Sequence, residues 1–175
     1  WFGAAKSASK DKRRRGVVLD ILRALNADLF VLQEIAGPTS DGRRPGALDG
    51  IAEELTAMGA GEYVVDYTNA GGEQRVAMMW DREWLRAKDT VAELFPKGKY
   101  QTGNEKDPFA GRTPLYGYFT ARVPDNQSGG PGSSDKFEFQ VLGVHLKAMG
   151  DGAPQRRKSA EVLADWMTKE APKID

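Results

Sequence analysis

Cysteine is absent from this chain of 175 residues, and histidine occurs once, as His145. Without cysteine the chain forms no disulfides, zinc–thiolate sites or thiol nucleophiles. Any mechanism that needs two histidines must take the second one from elsewhere. The lack of cysteine leaves the compartment open, because such a chain suits both the cytoplasm and an oxidising exterior.

Long apolar runs and an excess of one charge sign are missing as well. No apolar run approaches the roughly 18 residues of a membrane-spanning helix, so no membrane span is predicted. Lys plus Arg and Asp plus Glu each total 25, which gives a formal net charge of zero. This balance argues against a nucleic-acid binder steered by overall charge, although a local basic patch remains open. With 40% hydrophobic and 29% charged residues, the composition indicates one globular domain over residues 1–175.

The positive charge that is present gathers near the start of the chain. Residues 6–15 contain six basic residues and a single acidic one. This run is either a solvated loop and first helical turn or a segment that contacts phosphates.

Hydrophobic periodicity predicts an alternation of helices and strands. Helices are predicted over residues 11–26, 48–58 and 153–169. Strands are predicted over residues 28–32 (fully buried), 63–67, 75–80, 89–95, 115–123 and 137–145. Loops or linkers are predicted over residues 37–46, 96–111 and 124–135. This order predicts an α/β or α+β fold, a mixed sheet with helices on its faces.

The apolar face of the first helix follows from helical spacing. We expect it to point toward the core with Val17, Val18, Ile21, Leu22 and Leu25.

Two polar residues close predicted strands and are therefore candidates for chemistry. Glu34 follows a buried strand, where open α/β sheets place their ligands, and its carboxylate suits a hard cation such as Mg²⁺. Alternatively it caps the next turn or lies in solvent. His145 also ends a strand and could donate to a phosphoryl oxygen or a leaving group. Its alternative role is that of a hydrogen-bonded structural histidine.

Three basic residues extend this candidate site. Lys147 lies two residues beyond His145 and on the same face of an extended segment. Arg75 and Arg112 flank strands and either hold phosphates or are ordinary surface charges. The sequence contains no P-loop, serine nucleophile elbow, HExxH motif or EF-hand loop. Reasoning from the residues alone thus leads to a possible anion and metal site.

Several segments, in the right order, resemble the endonuclease/exonuclease/phosphatase superfamily. Residues 28–34 (DLFVLQE) resemble its signature ending in LQE, and residues 1–3 (WFG) resemble the end of its first strand. Further similar segments are residues 74–81 (QRVAMMWD), 112–115 (RTPL), 144–147 (VHLK), 156–157 (RR) and 165–166 (DW). Together these segments span nearly the whole chain.

The resemblance implies a four-layer α/β/β/α sandwich and Mg²⁺-dependent hydrolysis of phosphodiesters, with Mn²⁺ or Ca²⁺ as alternative ions. It assigns Glu34 to the metal and His145 to the scissile phosphate, with His145 oriented by a group near Glu73 or Gln74. It assigns Arg112 to a substrate phosphate. The expected enzyme is a nuclease acting on nucleic acid. The alternatives are another phosphohydrolase, for a small phosphodiester or lipid headgroup, and a non-catalytic binding module.

Three elements of the family pattern have no counterpart among these 175 residues. They are a metal-binding asparagine, a GDxN strand and an SDH segment that carries the general-base histidine. The resemblance therefore implies an incomplete catalytic domain that lacks its C-terminal part, and we expect the chain alone to be inactive. The sequence carries no signal of oligomeric state.

Overall fold

A computed structural model of the chain describes residues 8–38, 45–70, 74–95, 107–122 and 137–174. In this part of the chain the helices are α1 (Ala8–Leu25), α2 (Asp49–Ala57) and α3 (Ala153–Lys169), with 3₁₀ turns at Gly150–Gly152 and Ala171–Lys173. The strands are β1 (Leu29–Ile35), β2 (Tyr63–Tyr67), β3 (Arg75–Asp81), β4 (Leu85–Ala87), β5 (Ala92–Glu93), β6 (Leu115–Ala121) and β7 (Phe137–Gly143). None of these helices has the length and apolar character needed to cross a membrane.

The strands form two sheets, each built from a continuous stretch of sequence. The first sheet has the order β1-β3-β2, and in the second both β4 and β5 pair with β6, as does β7. The sequence predicts a mixed sheet, and every pair among the described strands is antiparallel. Residues 29–81 supply the first sheet and residues 85–143 the second.

The two sheets pack face to face between helices. Because successive side chains of a strand point to opposite faces, adjacent residues of β3 serve two cores. Met79 packs with α1 and α2, whereas Met78 packs with Phe119 of the second sheet. On the far side of that sheet, Trp166 of α3 lies edge-to-face against Tyr116, with ring centroids 5.2 Å apart. The predicted α+β sandwich is thereby confirmed, with layers in the order helices, sheet, sheet, helix.

The apolar face predicted for α1 is correct only for Leu22, which is buried, and for Val18, which packs against the core. Val17, Ile21 and Leu25 are 53%, 52% and 62% exposed. Leu19, which the prediction did not include, is buried at 7%, and it packs with Leu22 (4% exposed) in the core that α1 shares with α2. Packing against a neighbouring helix selects the face of α1, and apolar residues surround the second half of this helix, so spacing alone does not identify it.

The strand predicted over residues 28–32 is longer and less buried than expected. It extends from Leu29 to Ile35, and only Phe30 and Ile35 in it are buried. The prediction of a fully buried strand is wrong because β1 is the outer strand of its sheet among the described residues. Val31, in its centre, is 40% exposed.

Other boundaries differ less. The bounds of β2 and α3 match the prediction, whereas the strand expected over residues 89–95 contains only the two residues of β5. The short strand β4 is not among the predicted elements, and β7 ends two residues before His145. The predicted linker 124–135 and most of the predicted loop 96–111 lie outside the described residues.

Candidate active site

Glu34 lies at an irregularity of β1, one residue before the strand ends. Leu32 pairs with Ala77 and Ile35 with Arg75, so β1 holds one additional residue between these pairs. Glu34 has a φ of +58°, a left-handed conformation that costs a non-glycine residue roughly 1–2 kcal/mol. A bulge of this kind redirects a side chain, and the Glu34 side chain is 51% exposed. An exposed carboxylate held in an unfavourable conformation is typical of functional sites.

His145 lies just beyond β7, with its ring between the two sheets. The residue is only 8% exposed. Its Nε2 atom lies 3.8 Å from Oε1 of Glu34. Its Nδ1 atom lies 3.4 Å from the main-chain carbonyl oxygen of Gln74. The resemblance implies an orienting group near Glu73 or Gln74; the Gln74 carbonyl occupies that position, and Glu73 lies outside the described residues.

Arg112 determines which nitrogen of the neutral His145 ring carries the proton. Its Nη1 atom lies 3.4 Å from Nε2 of His145. A guanidinium group only donates hydrogen bonds, so Nε2 accepts, and the proton of the neutral ring sits on Nδ1, facing Gln74. When the ring is protonated, Nε2 also carries a hydrogen and its suitable partner becomes Glu34. Nε2 therefore lies at hydrogen-bonding distance from Arg112 and at ion-pair distance from Glu34.

A tight turn holds Arg112 in place. The Asp107 carboxylate accepts a hydrogen bond from the backbone N–H of Phe109 at 2.9 Å. The backbone N–H of Arg112 in turn donates to the Phe109 carbonyl at 3.0 Å. The buried Ser159 hydroxyl of α3 donates to the Pro108 carbonyl at 2.6 Å. The position of Arg112 thus depends on α3 as well as on its own turn.

Arg75 lies beside this group but is engaged elsewhere. It is the residue of β3 opposite Ile35. Its Nη1 atom donates to the Thr68 carbonyl at 3.2 Å. Its side chain packs over Gly37 so closely that a Cβ atom there would come within 2.4 Å of it. The guanidinium therefore supports the chain beside the site.

Two other predicted phosphate contacts are occupied by carboxylates. The Lys147 ammonium lies 3.4 Å from Oδ2 of Asp151, one helical turn further along the chain. In the basic run, the Arg15 guanidinium pairs with Glu54 of α2. Lys6 lies outside the described residues. The structure thus brings together Glu34, His145 and Arg112, whereas Lys147 and Arg15 pair with acidic neighbours.

Sequence reasoning did not identify the residues that connect the ends of β1 and β7. The side-chain amide of Gln33 donates a hydrogen bond to the Val144 carbonyl. Gly143 permits the close approach, since a Cβ atom there would come within 2.8 Å of Cγ1 of both Val31 and Val76. The one sequence signal for this contact is a glycine inside the predicted strand 137–145, since a glycine within a strand often marks a close approach of another backbone.

The metal ion that the resemblance implies needs more ligands than Glu34 and its neighbours provide. Among the described residues, no set of three or more acidic or histidine side chains lies close enough to hold a metal ion. Mg²⁺ commonly binds through one or two carboxylates, with water and substrate phosphate completing its octahedron. The exposed Glu34 carboxylate fits one such ligand position, and substrate, water or residues beyond the described part of the chain must supply the others.

Comparison with known proteins does not assign this chain to a family. The chain matches no protein-family model and no curated protein.

Proposed function

We propose that Glu34, His145 and Arg112 form part of the active site of a Mg²⁺-dependent phosphodiesterase. The observation that carries this proposal is their convergence: Nε2 of His145 lies 3.8 Å from the Glu34 carboxylate and 3.4 Å from the Arg112 guanidinium. A carboxylate that can bind a cation thus lies beside two side chains that can donate hydrogen bonds to an anion. The four-layer arrangement, which the superfamily resemblance implies, also supports the proposal.

Each residue has a role that its chemistry allows. Glu34 would hold Mg²⁺, which when bound supplies positive charge to the phosphoryl oxygens. The Arg112 guanidinium donates to a non-bridging phosphate oxygen. His145, when protonated, donates from Nε2 to a phosphoryl oxygen while its Nδ1–H continues to donate to the Gln74 carbonyl. These donors stabilise the negative charge that grows on the phosphoryl group as water attacks and the P–O bond to the leaving group breaks.

In this proposal the general base comes from outside these residues. The chain has one histidine, and its Nδ1 faces a carbonyl while its Nε2 faces Arg112 and Glu34. That histidine therefore serves as a donor, and a second group must take the proton of the attacking water. We accordingly expect the 175-residue chain to bind Mg²⁺ weakly and to show little turnover. Micromolar Mg²⁺ binding to this chain in calorimetry would contradict that expectation.

Nucleic acid is the substrate class that we propose. The basic run at residues 6–15 favours a polyanion, whereas the zero net charge favours a small phosphodiester or lipid headgroup. A nucleic-acid substrate predicts that affinity falls steeply with salt, because each phosphate contact releases a counterion. A salt-independent KM would exclude nucleic acid and leave the smaller phosphodiesters.

The test of the reaction is Glu34→Gln in the complete product of the reading frame. We expect this variant to lose Mg²⁺-dependent hydrolysis by about 10²-fold or more, since the charge that holds the ion is removed while the shape is kept. Glu53→Gln is the matched control, because Glu53 is exposed on α2. Equal hydrolysis by the Glu34→Gln variant and the control removes Glu34 from the mechanism.

A non-catalytic binding module is the second candidate, and the single carboxylate at the site favours it. Such a protein would bind a phosphodiester through Arg112 without hydrolysing it. Binding that persists in Glu34→Gln, together with no turnover in the unaltered protein at any Mg²⁺ concentration, would identify this alternative.

A further inference from the structure

We infer that Gln33 is a positioning residue, which sets the distance between Glu34 and His145 by joining the two sheets where these residues lie. Its effect on catalysis rests on the function proposed above, whereas its effect on the geometry does not. The amide nitrogen of Gln33 donates to the main-chain carbonyl of Val144, 111 residues further along the chain.

The location of this hydrogen bond is what gives it a role. Gln33 immediately precedes Glu34, and Val144 immediately precedes His145. The bond therefore fixes the backbone one residue before each member of the pair. A hydrogen bond elsewhere between the sheets would act on the backbones of Glu34 and His145 less directly.

No strand pairing can take over this task in the described part of the chain. β1 pairs with β3, and β7 pairs with β6, so the ends of β1 and β7 share no ladder of backbone hydrogen bonds. Sheets that pack face to face are held by side chains, and these permit small sliding movements. The Glu34–His145 distance of 3.8 Å would change with any such movement.

The chemistry of glutamine suits this position. Its amide is neutral and supplies a donor to a carbonyl oxygen without placing a positive charge next to the Glu34 carboxylate. Methionine has a similar length but no donor, and an ionised glutamate would repel the Val144 carbonyl. Because Gln33 is exposed, either substitution removes the hydrogen bond without opening a cavity in the core.

A direct test uses the single histidine as a reporter in the 175-residue chain. The ring resonances of His145 are recorded by NMR at one fixed pH, with and without Glu34→Gln. The difference measures how strongly the Glu34 carboxylate acts on the ring. This difference is then measured again in chains that also carry Gln33→Met or Gln33→Glu.

Gln140→Met provides the matched control. Gln140 is another exposed strand glutamine, and its amide donates to the Ala171 carbonyl at 3.3 Å, in a different part of the second sheet. Circular dichroism and urea unfolding verify that all variants remain folded.

We expect Glu34→Gln to shift the His145 ring resonances in the unaltered chain and equally in the Gln140→Met chain. In both Gln33 variants most of that shift should be lost, because the carboxylate and the ring move apart. An equal shift in the Gln33→Met chain would overturn the inference. The absence of any shift in the unaltered chain would overturn it too, since there would be no pairing to position.

Kinetics separate this inference from the proposed function. In the complete enzyme we expect Gln33→Met to lower kcat by about 10–100-fold with KM nearly unchanged, since small misplacements of reacting groups are that costly. If Gln33 had a purely structural role, Gln33→Met would lower the folded fraction of the enzyme, and kcat would not fall selectively at a nearly unchanged KM. If no hydrolysis occurs while the NMR result holds, the proposed function fails and the positioning role stands.

Discussion

The left-handed conformation of Glu34 predicts that the chain is more stable with glycine than with alanine at position 34. Both Glu34→Gly and Glu34→Ala remove the carboxylate that lies 3.8 Å from His145, so that loss cancels between them. Only glycine relieves the steric penalty of roughly 1–2 kcal/mol for a Cβ atom at a φ of +58°. Glycine also loses more entropy on folding, about 0.5–1 kcal/mol. The net advantage of glycine over alanine is therefore about 0.5–1 kcal/mol.

Thermal unfolding of the 175-residue chain measures this difference. For a domain of this size we expect Glu34→Gly to melt about 1–4 °C above Glu34→Ala. The same pair of substitutions at Gln140, in the regular strand β7, should show the opposite order, because glycine weakens a strand. If alanine equals or exceeds glycine at position 34, Glu34 does not adopt the left-handed conformation, and the bulge does not aim its side chain.

Three further predictions concern the surroundings of the site. Ser159→Ala should lower the free energy of unfolding by about 1–3 kcal/mol, because it leaves the buried Pro108 carbonyl without the hydroxyl that donates to it at 2.6 Å; chemical denaturation measures this. Gly143→Ala should cost about 1–3 kcal/mol, since the new methyl group would meet two packed valines at 2.8 Å, and it should also weaken the effect of Glu34→Gln on the His145 resonances. Burial raises the pKa of the Asp66 carboxyl, so the ionised form destabilises the folded state. Asp66→Asn should therefore stabilise the chain at neutral pH, and this gain should vanish as the pH falls below the ordinary pKa of an aspartate.

Each of these predictions has a result that contradicts it. Thr168 also donates to a carbonyl within α3 but is exposed, so Thr168→Ala should cost much less than Ser159→Ala, and equal costs would contradict the burial argument. Unchanged stability and unchanged resonances in Gly143→Ala would show that the sheets do not approach as closely as described. A gain from Asp66→Asn that persists in acid would mean that the charge of Asp66 is not its cause.

The sequence predicted the elements whose signals are local. The strand over residues 63–67 is rich in β-branched and aromatic residues, and the last helix begins at Ala153 beside a proline suited to a first turn, so both match the structure. The face of α1 depends instead on the tertiary packing of Leu19 and Leu22, because apolar residues lie on all sides of the second half of this helix and do not specify one face. The burial of β1 likewise depends on which strands lie beside it.

The candidate site was predictable in its members but not in its geometry. Glu34 and His145 were identified because each follows an apolar run, and they do converge. The bulge at Glu34 has no sequence signal, since no glycine marks its left-handed residue. The engagement of Lys147 with Asp151 was also hidden, because the turn that follows His145 brings that carboxylate back toward the lysine.

Each sheet is built from one continuous stretch of the chain, and this affects the order in which the candidate site forms during folding. Residues 29–81 and 85–143 each contain all the strands that the structure describes for one sheet, so each of these sheets can form without contacts from the other. Glu34 and His145 meet only where the sheets dock, after the chain has closed a loop of 111 residues. We therefore expect native contacts within each sheet to precede the Glu34–His145 contact in folding. A contact that forms in the last step is a sensitive reporter of complete folding, and partly folded chains would lack it.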